Sequence, residues 1–105
     1  MLIGTTAVSI VVFTNYTTGS AEFKDQARST IGMTAAEAVA VMGEPLRTLT
    51  GAEYTSEYRS GFVRSYEPDP PRVDADIVLA YHYSISMALL FIKDGVVIEV
   101  YYGET

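Results

Sequence analysis

Two apolar runs joined by Lys93-Asp94-Gly95-Val96 constrain this chain more than any other feature. Asp-Gly between such runs marks a two-residue β-hairpin, whose turn needs positive φ at both central positions. The strands it joins read as residues 87–92 and 96–102, and a third strand-like run, 77–83, precedes them. A tight turn fixes register, so Phe91 is expected opposite Ile98, Leu89 opposite Val100 and Met87 opposite Tyr102. One sheet face then carries Met87, Leu89, Phe91, Ile98, Val100 and Tyr102, and it is the face that helices should cover. Burying four such side chains is worth on the order of 6–12 kcal/mol before entropy, comparable with the net stability of a domain. The opposite face holds Ala88, Leu90, Ile92, Val97, Glu99 and Tyr101, which is more apolar than a bare solvent face requires.

The helix to cover that sheet is marked just as sharply. Thr34 followed by Glu37 is a capping box: hydroxyl to the Glu37 amide, carboxylate back to the Thr34 amide. Gly43 supplies a left-handed residue past the last turn, and Pro45 prevents continuation. Two turns do not hold themselves in water, so the helix must dock, through Val39 and Met42 with the small Ala36 between them. A shorter signal precedes it. Ser20 can cap a first helix with Glu22 and Asp25 in its first turn, and Phe23, Ala27 and Ile31 fall at four-residue spacing. That helix ends near Ser29 and leads through Gly32 into the capped one.

The remainder is less regular. Residues 1–21 carry no charge, and 2–14 are almost continuously apolar or Thr/Ser. Three readings stand: a membrane element (anchor or signal core), a buried strand, or a buried helix. The apolar core is shorter than the roughly 20 residues of a spanning helix, and the usual basic flank is absent. Thr5, Thr6, Val8, Ile10, Val11, Val12 and Thr14 are all β-branched, which suits a strand. We take residues 1–19 as a membrane anchor or signal-like segment with its linker, outside a single domain of residues 20–105. The Asn15-Tyr16-Thr17 triplet matches a glycosylation sequon, a pattern that arises often by chance. In the middle, 53–59 and 62–66 read as strands separated by Ser60-Gly61, and Pro68-Asp69-Pro70-Pro71 as a stiff extended loop.

Composition limits the chemistry. A chain of 105 residues has room for one core. Net charge −6, with seven scattered Lys and Arg, disfavours nucleic-acid binding. Without cysteine there is no disulfide, thiolate metal site or Cys nucleophile. His82, the single histidine, lies in a strand with no nucleophile or further ligands at suggestive spacing, and reads as a packed or sheet-surface residue. Asp69, Asp74 and Asp76 match no calcium loop and read as solvated acids. No cofactor is expected. The eight tyrosines are the compositional oddity, and Tyr66, Tyr81, Tyr83, Tyr101 and Tyr102 lie in or near the sheet. Tyrosine favours interfaces, yet it is also simply a good strand residue.

The residues Gly32-Met33-Thr34, Glu37, Val41 and Gly43-Glu44-Pro45, with the C-terminal hairpin, resemble the signature of the SmpA/OmlA-like (BamE-like) small envelope proteins. Similar helix-plus-sheet units occur in the beta-lactamase-inhibitor-protein type of inhibitor. The lipid-modified cysteine of the BamE lipoproteins has no counterpart here. What the resemblance implies is a binding module, not an enzyme. In this reading Gly32, Met33, Thr34, Glu37, Gly43, Pro45, Asp94 and Gly95 build the fold. The expected fold is α+β: two short helices on one face of a small antiparallel sheet of three or four strands. The expected function is a non-enzymatic interaction or scaffold module of the bacterial cell envelope, exported or membrane-anchored through its N-terminal segment. It would offer a protein partner, or a second copy, a sheet surface carrying Tyr81, His82, Tyr83, Leu90, Ile92 and Tyr101. A soluble inhibitor or a purely structural domain is the alternative.

Overall fold

The computed structural model describes residues 19–58 and 65–105. The readings placed on residues 1–18, including the sequon, and on the 59–64 portion of the middle segment lie outside the described residues. The elements are α1 (Ser20–Ser29), α2 (Ala35–Met42), β1 (Arg47–Thr50), a short α3 (Gly51–Glu53) running into a π-helical turn (Tyr54–Tyr58), then β2 (Ile77–Tyr83), β3 (Ser86–Lys93) and β4 (Val96–Glu104). The four strands form one antiparallel meander in the order β1-β2-β3-β4. The α+β class expected from sequence is therefore the observed one.

Local chemistry behaves as the sequence dictates around α2. Glu37 N donates to Thr34 Oγ1 at 3.2 Å, and Thr34 N donates to Glu37 Oε1 at 2.9 Å. Gly43 closes the helix at φ 86°, where its amide donates to Val39 O at 2.7 Å. The Gly32-Met33 pair has a role that spacing alone did not reveal. Gly32 N donates to Val97 O, and Val97 N donates to Met33 O, both at 2.8 Å, so the loop before α2 is stitched to the outer edge of β4.

Three helix details differ from expectation. Gly19, not Ser20, occupies the N-cap of α1, and no side chain caps it. Ile31 lies beyond the end of α1, so the four-residue spacing no longer applies to it and it is 56% exposed. Ala38, not Ala36, is the small residue buried under α2, with Val39 and Met42 packed around it and Ala36 facing solvent.

The hairpin turn forms as expected, with φ of 52° at Asp94 and 80° at Gly95, and Lys93 paired with Val96. The register beyond it does not. Ile92 pairs with Val97, but Phe91 pairs with Glu99, Leu90 with Val100 and Leu89 with Tyr101. Ile98 is thus an extra residue, a β-bulge. It overturns the expected Phe91–Ile98, Leu89–Val100 and Met87–Tyr102 pairs, because one inserted residue reverses the facing of everything after it. Ile98 is 46% exposed, whereas Phe91 is fully buried.

The bulge goes with a second finding: both sheet faces are covered. Ala27 and Ala38 of the helices pack on Leu79, Tyr81, Ala88, Leu90, Ile92 and Val97. The helices therefore sit on the face that the uninterrupted register left open. The other face, with Val78, Ala80, Met87, Leu89, Phe91 and Tyr101, is covered by Tyr54, Tyr58, Tyr66 and Ala75 from the β1–β2 connection. All of β3 from Ser86 to Ile92 is buried, the near-continuous apolar run expected of a strand with two covered faces.

That covering layer explains why residues 53–59 do not begin a strand. Thr50 and Glu53 make a second capping box, with Glu53 N to Thr50 Oγ1 at 3.1 Å and Thr50 N to Glu53 Oε1 at 2.9 Å. The alternation of Tyr54, Ser56 and Tyr58 resembles a strand, but Tyr54 and Tyr58 are also one helical turn apart, and both point into the core. The edge strand lies just before, at Arg47–Thr50.

Candidate functional site

Covering both faces moves any recognition surface to the ends and edges of the sheet. Of the six residues expected to present a docking face, Tyr81, Leu90, Ile92 and Tyr101 are buried. They also divide between the two cores, Leu90, Ile92 and Tyr81 under the helices and Tyr101 on the far side. His82 and Tyr83, at the end of β2, are partly exposed. The expected surface is corrected accordingly: the chain's own helices and its β1–β2 connection occupy it.

What remains open is a groove of about 540 Å³ between the end of α2, the side of α1 and the end of β2. Phe23, Met42, Leu46, Tyr81 and Tyr83 line it. Each is set there by a local constraint. The stop at Gly43 turns the chain away from α2, and Leu46 N then donates to Ala80 O at 2.8 Å, which leaves the Leu46 side chain 62% exposed at the rim. Tyr81 Oη donates to Gly43 O at 2.8 Å, tying the helix end to the strand. Burial, then the nearby Glu44 carboxylate, pushes the Tyr81 phenol up to about 12. Tyr83 stacks on Phe23 with centroids 5.7 Å apart and planes at 28°. The groove combines an exposed aliphatic chain, an aromatic pair and a polar rim, the make-up of a protein-docking pocket.

On the other face the tyrosines are core residues with hydrogen-bond partners. Tyr54 Oη donates to Pro71 O at 2.7 Å and Tyr101 Oη donates to Pro68 O. Tyr58 Oη lies 3.3 Å from His82 Nε2 and 3.8 Å from Met87 Sδ, and Tyr66 meets the His82 ring edge-on at 6.0 Å. Burial pushes Tyr58 up to about 12 against the opposing pull of Arg47, so it keeps its proton at neutral pH. Burial also lowers the His82 pKa from 6.5. The pair is a hydrogen-bonded tie between the covering segment and β2.

The aspartates serve the hairpin. Asp76 Oδ2 accepts from Asp94 N at 2.9 Å, and Asp74 pairs with Lys93 at 3.2 Å in solvent. Among the described residues, no three His, Cys, Asp or Glu side chains come together in a way that could hold a metal ion. No described helix is long and apolar enough to cross a membrane. Comparison with models of known protein families, with curated proteins and with solved structures gave no match to this chain.

Proposed function

We propose that this chain is a non-enzymatic protein-interaction module of the bacterial cell envelope, held at a membrane through its uncharged N-terminal stretch. The groove beside the end of β2 carries the reading. A chain that covers both faces of its own sheet still leaves Leu46 standing in solvent beside the Phe23–Tyr83 stack. A surface-exposed leucine next to stacked aromatics favours an apolar partner side chain. The envelope assignment rests on the resemblance carried by Gly32-Met33-Thr34, Glu37 and Gly43-Glu44-Pro45 and on the charge-free residues 1–21.

The test is affinity purification of the full chain from bacterial membranes, in parallel with Leu46→Asp and with Ile98→Asp as an exposed control away from the groove. A partner retained by the native chain and the Ile98 variant, and lost from the Leu46 variant, supports the reading. Equal retention by all three overturns it. The tether is tested separately. Deleting residues 1–18 should move the protein from the membrane fraction to the soluble one, and an unchanged membrane fraction would refute the anchor.

A further inference from the structure

The outer edge of β4 is blocked at both ends and open in the middle. At one end Val97 exchanges hydrogen bonds with Gly32 and Met33. At the other, Glu104 N donates to Glu67 O at 3.0 Å and Glu67 N donates to Glu104 O at 2.9 Å. Alternation in an antiparallel strand means that, counting back from Glu104, Tyr102 and Val100 also turn their N–H and C=O groups outward. Among the described residues nothing pairs with those four groups. The chain that pairs at Glu67 cannot continue along the edge as a full strand, because Pro68, Pro70 and Pro71 have no N–H to give.

The occupant of this short window follows from its surroundings. A second copy does not fit. Antiparallel β4–β4 pairing about Tyr101 would match Val100 to Tyr102, but it would also bring Ile98 of one copy opposite Glu104 of the other, where that copy's own Glu67 already sits. A short, flexible extended segment is free of that clash. Its charge is set by Glu67, Asp69, Glu99 and Glu104, all exposed around the window. The Asp69 and Glu67 carboxylates act on Tyr101 from that side. On the helix side of the strip Lys24 lies 5.5 Å over the Tyr102 ring, and Phe23 lies 6.1 Å from it.

We propose that the open middle of β4 accepts a short basic peptide in extended conformation, by strand addition at Val100 and Tyr102. Resting on the reading of this chain as an interaction module, the inference names a second contact and its chemistry. Residues of the peptide opposite Val100 and Tyr102 are apolar and lie on the helix side. The residues between and beside them are Lys or Arg and meet the acidic side.

The experiment titrates the 15N-labelled full chain with acetyl-Lys-Val-Lys-Val-Lys-amide, with the same peptide N-methylated at both valines, and with its Glu-for-Lys analogue. The expected result is that the Val100 and Tyr102 amides shift and gain protection from hydrogen exchange. N-methylation should weaken binding about tenfold by removing two backbone donors, and the acidic analogue should bind more weakly still. A Val100→Pro variant, which removes only an outward N–H, should reproduce the loss for the unmodified peptide; Glu99→Lys should weaken binding without touching the backbone. Equal binding of the native and N-methylated peptides overturns the inference, as does the absence of shifts at millimolar peptide. Shifts confined to Phe23, Met42 and Leu46 overturn it too, and in that case the groove reading stands. Loss of the groove reading in its own test, with β4 shifts intact, leaves the edge as the docking site.

Discussion

Leu90 and Phe91 are neighbours in β3, point to opposite sheet faces, and are both fully buried. In a two-layer domain one of them would face water, and its truncation would cost little. Here Leu90→Ala and Phe91→Ala should both be severe. Removing three carbons from Leu90 forfeits about 2.5 kcal/mol at roughly 0.8 kcal/mol per methylene, and the cavity beneath the helices raises the cost to about 3–4 kcal/mol. Phe91 packs edge-on against Tyr54 at 5.2 Å, so its loss should cost about 3–5 kcal/mol. Either figure is a large part of the 5–15 kcal/mol typical of a domain. Urea unfolding followed by far-UV circular dichroism and tyrosine fluorescence measures both, since the chain has eight Tyr and no Trp. If Leu90→Ala leaves too little folded protein, Leu90→Val keeps the measurement within range. A cost below about 1 kcal/mol for either alanine variant, with an unchanged m-value, would show that one face is open and refute the three-layer arrangement.

Four further outcomes are expected. Thr34→Ala and Thr50→Ala each lose a capping box and should each lower stability by about 1 kcal/mol, read from denaturation midpoints; an unmoved midpoint for either would mean that its box is idle. Gly43→Val places a β-branched side chain at φ 86° and should cost more than either cap, on the order of 1–3 kcal/mol. Ile98→Ala, at a bulge residue that faces solvent, should change stability by less than about 1 kcal/mol, where the uninterrupted hairpin register would predict a core-sized loss. His82 has its folded pKa lowered by burial, so the fold favours the neutral ring. Its contribution is present above 6.5 and is lost as the pH falls through that value. His82→Gln should flatten the stability profile there, and an unchanged slope between pH 7 and 5.5 would contradict the burial argument.

The sequence by itself determined the features that need only a few adjacent residues. Thr34 reaches Glu37 across one turn, Gly43 and Pro45 end the helix, and Asp94-Gly95 closes the hairpin, all because the donors, acceptors and allowed φ values lie within four residues of each other. Thr50 and Glu53 carried the same box in plain view, and they were the signal that residues 53–58 were helical. The groove was not legible in this way, since it brings together Phe23, Met42, Leu46 and Tyr83 from four parts of the chain. Only the tertiary structure decided which sheet face the helices cover. That choice depends on one inserted residue, Ile98, and a strand alternates its faces at every step, so parity after a bulge is not carried by the apolar pattern. The same holds for the tyrosines. Tyr54, Tyr58 and Tyr101 have the composition of an interface, and they became core because the β1–β2 connection folds back over Met87, Leu89 and Phe91, a contact between residues far apart in the sequence.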